Sequence, residues 1–211
     1  MFAITADQVD SRHGPDLADD GLAILTRVGA DRLALPPDRT AGDEVQALTT
    51  DARTALELAL ALARTDSWSV GIGIGEVRTP LPAVTRAATG GALIAAREAV
   101  DAAKRRPWRV AVAGDSIRPS ASAIQSVLEL LLHARERRSR EGWELYDLVE
   151  SGLTQAEAAE RLGVTPQAAS KRARAAGVRQ DAAARAGIAE LLALADGGGR
   201  RSPGTEEDAS S

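Results

Sequence analysis

The residues with the most chemical content lie between Gly152 and Val178, in GLTQAEAAERLGVTPQAASKRARAAGV. Lys171, Arg172 and Arg174 cluster there, Arg179 follows, and no Asp or Glu lies between Thr165 and Gln180. Cationic groups without acidic neighbours suit the phosphates of a duplex, and Gln can address base edges. That chemistry needs an element to present it, and the spacing predicts two short helices. Thr154 is placed to cap the first, with Glu157 completing a capping box and Ala158, Ala159 and Leu162 facing inward. Gly163 supplies the left-handed residue of a sharp turn, Val164 fills the space between the helices, and Thr165 with Pro166 opens the second. The small Ala168 and Ala169 permit a close crossing. On this reading Gln167, Ala168 and Lys171 lie near base edges, while Thr165, Ser170, Arg172 and Arg174 turn toward phosphates. The alternatives are a plain helical hairpin with a solvated basic face, or a bihelical unit that docks another protein.

Composition narrows the choices. The 211 residues carry a formal net charge of -4, so the chain does not coat nucleic acid indiscriminately and any DNA contact must be local. The absence of Cys excludes disulfides, thiolate metal sites and thiol nucleophiles. The longest apolar run, around Leu56 to Ala63, falls well short of the roughly 20 residues of a membrane span. No basic segment leads an apolar one at the amino terminus, and a cytoplasmic protein without membrane contact is expected. His13 and His133 are isolated, which argues against a histidine metal site. Arg135, Arg137, Arg138 and Arg140 form a second basic stretch before Trp143, suited either to a DNA backbone or to solvating a helix end.

The expected fold class is α+β. Strand-like runs at Phe2 to Ala6, Arg32 to Leu35, Val45 to Leu48, Trp68 to Val77 and Trp108 to Ala113 alternate with helical patterns at Asp16 to Val28, Thr50 to Ala63 and Thr85 to Lys104, giving βαββαβαβ. PPDRTAGDE reads as the turn of a hairpin, with a tight reversal at Gly42-Asp43, and Asp51 is an available helix cap. Gly71, Gly73 and Gly75 alternate along a strand and admit another backbone at close range; they lack the spacing of a nucleotide fingerprint. Turn formers in GDSIRPSAS place a domain boundary at 115–122, after a first domain at 1–114. A helical domain is expected over 123–197, beginning with an apolar stripe from Ile124 to Leu132 and continuing through three shorter helices. Residues 198–211 lack apolar side chains except Ala209 and read as a disordered tail.

Two resemblances follow from these motifs. Over about 27 residues, LTQ-x-EAA-x-x-LGVT resembles the winged or sigma-like helix-turn-helix family. This implies binding to double-stranded DNA, ordinarily as a homodimer on paired half-sites, with Ile124 to Leu132 or the amino-terminal domain supplying the dimer contact. ITADQVDSR, RTAGDEVQAL and VGIGIGEV, in that order, resemble the ferredoxin-like palm of class III nucleotidyl cyclases and GGDEF diguanylate cyclases, and more closely the SatD-like family of bacterial proteins. The palm resemblance implies divalent metal, Mg²⁺ with a nucleotide, on Asp7 and Asp43, with Asp10 and Glu44 as further ligand candidates. It also implies a base-selecting role for Arg39 and a phosphate-steadying role for Arg97. Leu93 stands where cyclases carry Asn and Ala41 replaces the first Gly of GGDEF, so no turnover is expected. The resemblances together imply a transcriptional regulator with a dimerising, nucleotide-sensing palm; the alternatives are a metal-dependent cyclase-like enzyme with a DNA-binding appendage, or an inert dimerisation domain in which Asp7 and Asp43 merely end a strand and a turn.

Overall fold

The computed structural model describes residues 1–40 and 42–198. Ala41 and the greater part of the expected tail, 199–211, lie outside the described residues. Alternation decides the first element: Phe2, Ile4 and Ala6 of β1 (Phe2–Gln8) share one face and are fully buried. β1 is the middle strand of a five-stranded mixed sheet. Its neighbours are β2 (Leu35–Arg39), β3 (Glu44–Thr49), β4 (Trp68–Ile74) and β5 (Val110–Gly114), in the order β2-β3-β1-β4-β5. All neighbours pair antiparallel except β4 and β5, which are parallel. With α1 (Ala18–Gly29), α2 (Ala52–Ala63) and α3 (Gly91–Ala103) between them, the succession is βαββαβαβ, an α+β arrangement.

The two faces of the sheet are built differently. Ile4, Ala47, Ile72 and Val112 share the face that packs under α2, where Asp51 caps the helix through a 2.8 Å hydrogen bond from the Thr54 amide. The opposite face carries Ala3, Thr5, Asp7, Glu44 and Gln46 beside α3, whose Ala92 and Ala96 pack against Ala3 and Leu48. A Cβ on Gly71 would lie 2.3 Å from the Ala96 carbonyl oxygen, and one on Gly73 2.1 Å from that of Ala92. These glycines therefore do what their spacing indicates: they let α3 rest on the β4 backbone.

Three expectations shift. The first strand of the hairpin is Leu35–Arg39 rather than 32–35, because Ala30–Arg32 closes a 3-10 turn and the following prolines tolerate an edge position. The helix expected over 85–104 begins only at Gly91. Thr85–Ala87 is a 3-10 turn tied to the edge strand, the Thr85 hydroxyl donating to the Pro36 carbonyl at 2.7 Å and Arg86 pairing with Asp38 at 3.1 Å.

The third shift concerns the boundary at 115–122. Packing runs straight across it: Ile124, Leu128, Leu131 and Leu132 of α4 (Ala121–Glu136) lie in the same core as Ile72 and Leu58. The long α8 (Val178–Gly198) returns to that core with Ile188, Leu192 and Ala195. The apolar stripe of α4 is thus spent on the sheet, which leaves Val127 and Leu130 exposed. Among the described residues four helices follow α4, not three: α5 (Arg140–Glu150), α6 (Gln155–Arg161), α7 (Pro166–Ala175) and α8. α5 to α7, with Val178 at the start of α8, form a separate small core that includes Leu145, Tyr146, Ala158, Ala159, Ala169 and Ala173. Among the described residues no helix is long and apolar enough to cross a membrane.

Candidate nucleic-acid interface and acidic sheet edge

The local geometry expected of 152–178 is present in detail. Thr154 accepts from the Glu157 amide while the Glu157 carboxylate accepts from the Thr154 amide at 2.7 Å, closing the capping box. The Thr154 amide, and after it the Thr154 hydroxyl donating at 2.8 Å, hold the Glu157 carboxyl below its ordinary range. Gly163 takes φ +65 with nothing near a would-be Cβ, so it is conformation and not space that selects glycine. Thr165 caps α7 by accepting from the Ala168 amide at 3.2 Å, with Pro166 at the first helical position.

α7 divides cleanly by face. Ala169 and Ala173 are buried against α5 and α6, with Ala176 just beyond, and Leu162 and Val164 pack at the rim of that core. Gln167, Ser170, Lys171 and Arg174 are exposed, as is Thr165, while Ala168 and Arg172 are half-buried. Every DNA-facing residue named from the sequence thus lies on or beside one outward surface. No ion pair engages Arg161, Lys171, Arg172, Arg174 or Arg179 among the described residues. Arg172 is near enough to Glu141 to add to the lowering of that carboxyl, which comes first from a backbone hydrogen bond and from Ser139.

The second basic stretch behaves in the opposite way. Arg135 and Arg138 turn inward onto Asp181, a carboxylate that sequence reasoning passed over. Arg135 donates to both Asp181 oxygens at 2.7 and 2.9 Å, Arg138 to Oδ1 at 2.9 Å, Arg185 to Oδ2 at 2.9 Å, and the Tyr146 hydroxyl to Oδ2 at 3.1 Å. Side-chain exposure of Asp181 and Arg138 is 2% each. Burial opposes ionisation of Asp181, but the hydrogen bonds and charge of Arg135, then Arg138, outweigh it and hold the carboxyl down at about 2. Burial pushes the Tyr146 hydroxyl up to about 12. The hub is not fully satisfied, since Arg138 Nη1 is buried without a hydrogen-bond partner among the described residues. Arg140 pairs only with Glu144 on its own helix, at 3.2 Å. In sequence only Arg185, four residues on, marks Asp181 as an acceptor; the return of α8 brings it under Arg135 and Arg138.

On the α3 face of the sheet, where β1 ends beside the start of β4, lie the residues singled out by the palm resemblance. The strand register sets Asp7 directly opposite Glu44, not Asp43. Two carboxylates facing each other across a ladder repel, and α3 neutralises both: Lys104 Nζ meets Asp7 Oδ2 at 3.0 Å and Arg97 Nη2 meets Glu44 Oε1 at 2.9 Å. The contact with Asp7, together with its charge, raises the Lys104 ammonium against a desolvation that lowers it. Asp43 is half-buried in the turn, where its carbonyl accepts from the Gln8 amide at 3.3 Å. Arg39 is clasped locally, donating to the Gly42 carbonyl at 2.6 Å and pairing with Asp16 at 2.8 Å. Asp10 is exposed, at φ +53. Among the described residues no group of three or more His, Cys, Asp or Glu is arranged to hold a metal ion. As packed, the donor set does not fit a magnesium site: two of its carboxylates are engaged by cations of α3.

Compared with family models and with curated proteins, the chain matches none.

Proposed function

We propose that the protein is a DNA-binding transcriptional regulator in which α6 and α7 form a helix-turn-helix and α7 enters the major groove. One observation carries this reading: Gln167, Lys171 and Arg174 are exposed, the two cations without an ion pair among the described residues, opposite the Ala169 and Ala173 face that seats α7 on α5 and α6. The sheet order β2-β3-β1-β4 with antiparallel neighbours supports the ferredoxin-like, SatD-like reading of the amino-terminal half. A homodimer is part of the proposal, and Leu130 and Leu194, 71% and 55% exposed on α4 and α8, are apolar contacts available to a second copy. The nucleotide and Mg²⁺ that the palm resemblance implies at Asp7, Asp43, Arg39 and Arg97 find less support. The pairing of Asp7 with Lys104 and of Glu44 with Arg97 favours a structural role for this edge.

A gel shift of the purified chain on the DNA upstream of its own coding region tests the reading. A retarded band that weakens steeply with added salt is expected. Binding of the chain to no duplex at low salt overturns it.

A further inference from the structure

Five large apolar side chains stand exposed among the described residues, and three of them lie on two adjacent helices: Val127 and Leu130 of α4 and Leu194 of α8. We propose that the outer face of α4 and α8 is where a second copy of the chain docks, the two α4 helices lying antiparallel across a two-fold axis between Val127 and Leu130.

The two helices present one outward surface. They run antiparallel to each other, since Arg135 in the last turn of α4 meets Asp181 in the first turn of α8. Ile124, Leu128 and Leu131 of α4 and Ile188, Leu192 and Ala195 of α8 enter the same core against the sheet. Their outer sides therefore look away from the sheet together. On α4 that side carries Ala123, Val127, Leu130 and Ala134, all exposed, at intervals of four, three and four residues. On α8 it carries Ala183, Gly187, Glu190 and Leu194, exposed at the same intervals. Such spacing keeps a seam along one side of a helix, as helix pairing requires. Charged residues make up 27% of the chain, yet Glu190 is the only one in these two rows. Depletion of charge marks the centre of a protein interface.

The order and size of the face point to a second copy as its occupant. The α4 row reads small, large, large, small, so it is the same from either end. A two-fold axis sets Ala123 against Ala134 of the second copy and Val127 against its Leu130, the self-complementarity that an isologous contact requires. The 16 residues of α4 make the face about 24 Å long, and two packed helices make it about 20 Å wide. Two copies then bury on the order of 1,000 Å², enough for a specific interface. Residues 199–211 bring no Val, Leu, Ile, Met or aromatic side chain to such a face. Antiparallel pairing also sets the two α5–α7 units at opposite ends of the α4 pair, as paired half-sites ask. This specifies the homodimer of the function proposed above and rests on that part of it; its test needs no DNA.

Sedimentation velocity of the full chain decides it. Wild type at micromolar concentration is expected at twice the mass of the chain, and Leu130→Glu, which sets two carboxylates beside the axis, at the mass of one. Ile94→Glu, at a comparably exposed apolar position on α3 across the sheet, should leave the dimer intact. Both variants should keep the wild-type circular dichroism, because both side chains are largely exposed. The chain has no Cys, so introduced thiols report cleanly. Ala123→Cys combined with Ala134→Cys should give a covalent dimer with a short thiol-specific crosslinker, and either substitution alone should not. A monomeric wild type, a dimer that survives Leu130→Glu or is lost in Ile94→Glu, or crosslinking in either single variant overturns the proposal. The expected dimer in a chain that binds no duplex overturns the DNA-binding reading instead and leaves this interface standing.

Discussion

Two arginine-rich segments of this chain look alike in sequence and behave oppositely in the fold. Arg135 and Arg138 sit at the junction of α4 and α5, converge with Arg185 on Asp181 and are nearly lost from solvent. Lys171, Arg172 and Arg174 sit on α7 with no carboxylate within their own segment and make no ion pair among the described residues. The difference lies in what the neighbouring helix brings. α8 returns over the α4–α5 junction with Asp181 in its first turn, whereas among the described residues the outward face of α7 meets only Glu141 of α5, which Arg172 approaches without forming an ion pair. One cluster therefore holds the α5–α7 unit to the body, while the other is the surface assigned above, by proposal, to the duplex.

The strongest way to break this comparison is to neutralise the free cluster. Lys171→Ala with Arg172→Ala and Arg174→Ala should lower duplex affinity at low salt on the order of a thousandfold, measured by fluorescence anisotropy. Folding stability should stay within about 0.5 kcal/mol, because these side chains touch little of the protein. Asp181→Ala should do the reverse of a surface change and destabilise the fold by about 3 to 5 kcal/mol in urea titrations, since it strands buried guanidiniums.

How much of this was legible beforehand differs by region. The caps and turn of α6 and α7 were readable because Thr154, Glu157, Gly163, Thr165 and Pro166 act within a few residues of each other. The glycines of β4 were readable for a similar reason: spacing along one strand gives one face. The Asp181 hub was not, because Arg138 and Arg135 lie 43 and 46 residues away and only the Arg185 pair is local. Nor was the engagement of Asp7, whose ammonium comes from Lys104 at the far end of α3. The apolar stripe of α4 was seen correctly as a stripe, but a periodic pattern names a face and not what covers it.

A pH titration sharpens the contrast further. The Asp181 carboxyl is held at about 2 in the folded chain, below its ordinary 3.8, so its contribution is complete above about pH 4 and is lost as pH falls toward 2. Roughly 2 kcal/mol should disappear across that window in acid unfolding, and Asp181→Asn should flatten it. Smaller again is Arg64→Ala, which removes the Asp147 pair and the stacking on Trp143; with both partners substantially exposed, it should cost about 1 kcal/mol. The smallest effect is expected at the acidic sheet edge. ATP or GTP with Mg²⁺ should leave the thermal midpoint unchanged, and a stabilisation abolished by Asp43→Ala would instead reinstate a nucleotide site there.

The salt dependence of duplex affinity tests the central claim most directly, with wild type and the three-alanine α7 variant compared on the same DNA. The logarithm of affinity should fall steeply with the logarithm of salt concentration for wild type, and the slope should become shallower by about 0.9 for each phosphate contact removed. A flat wild-type line, or identical slopes for the two proteins, would contradict a DNA-reading role for α7.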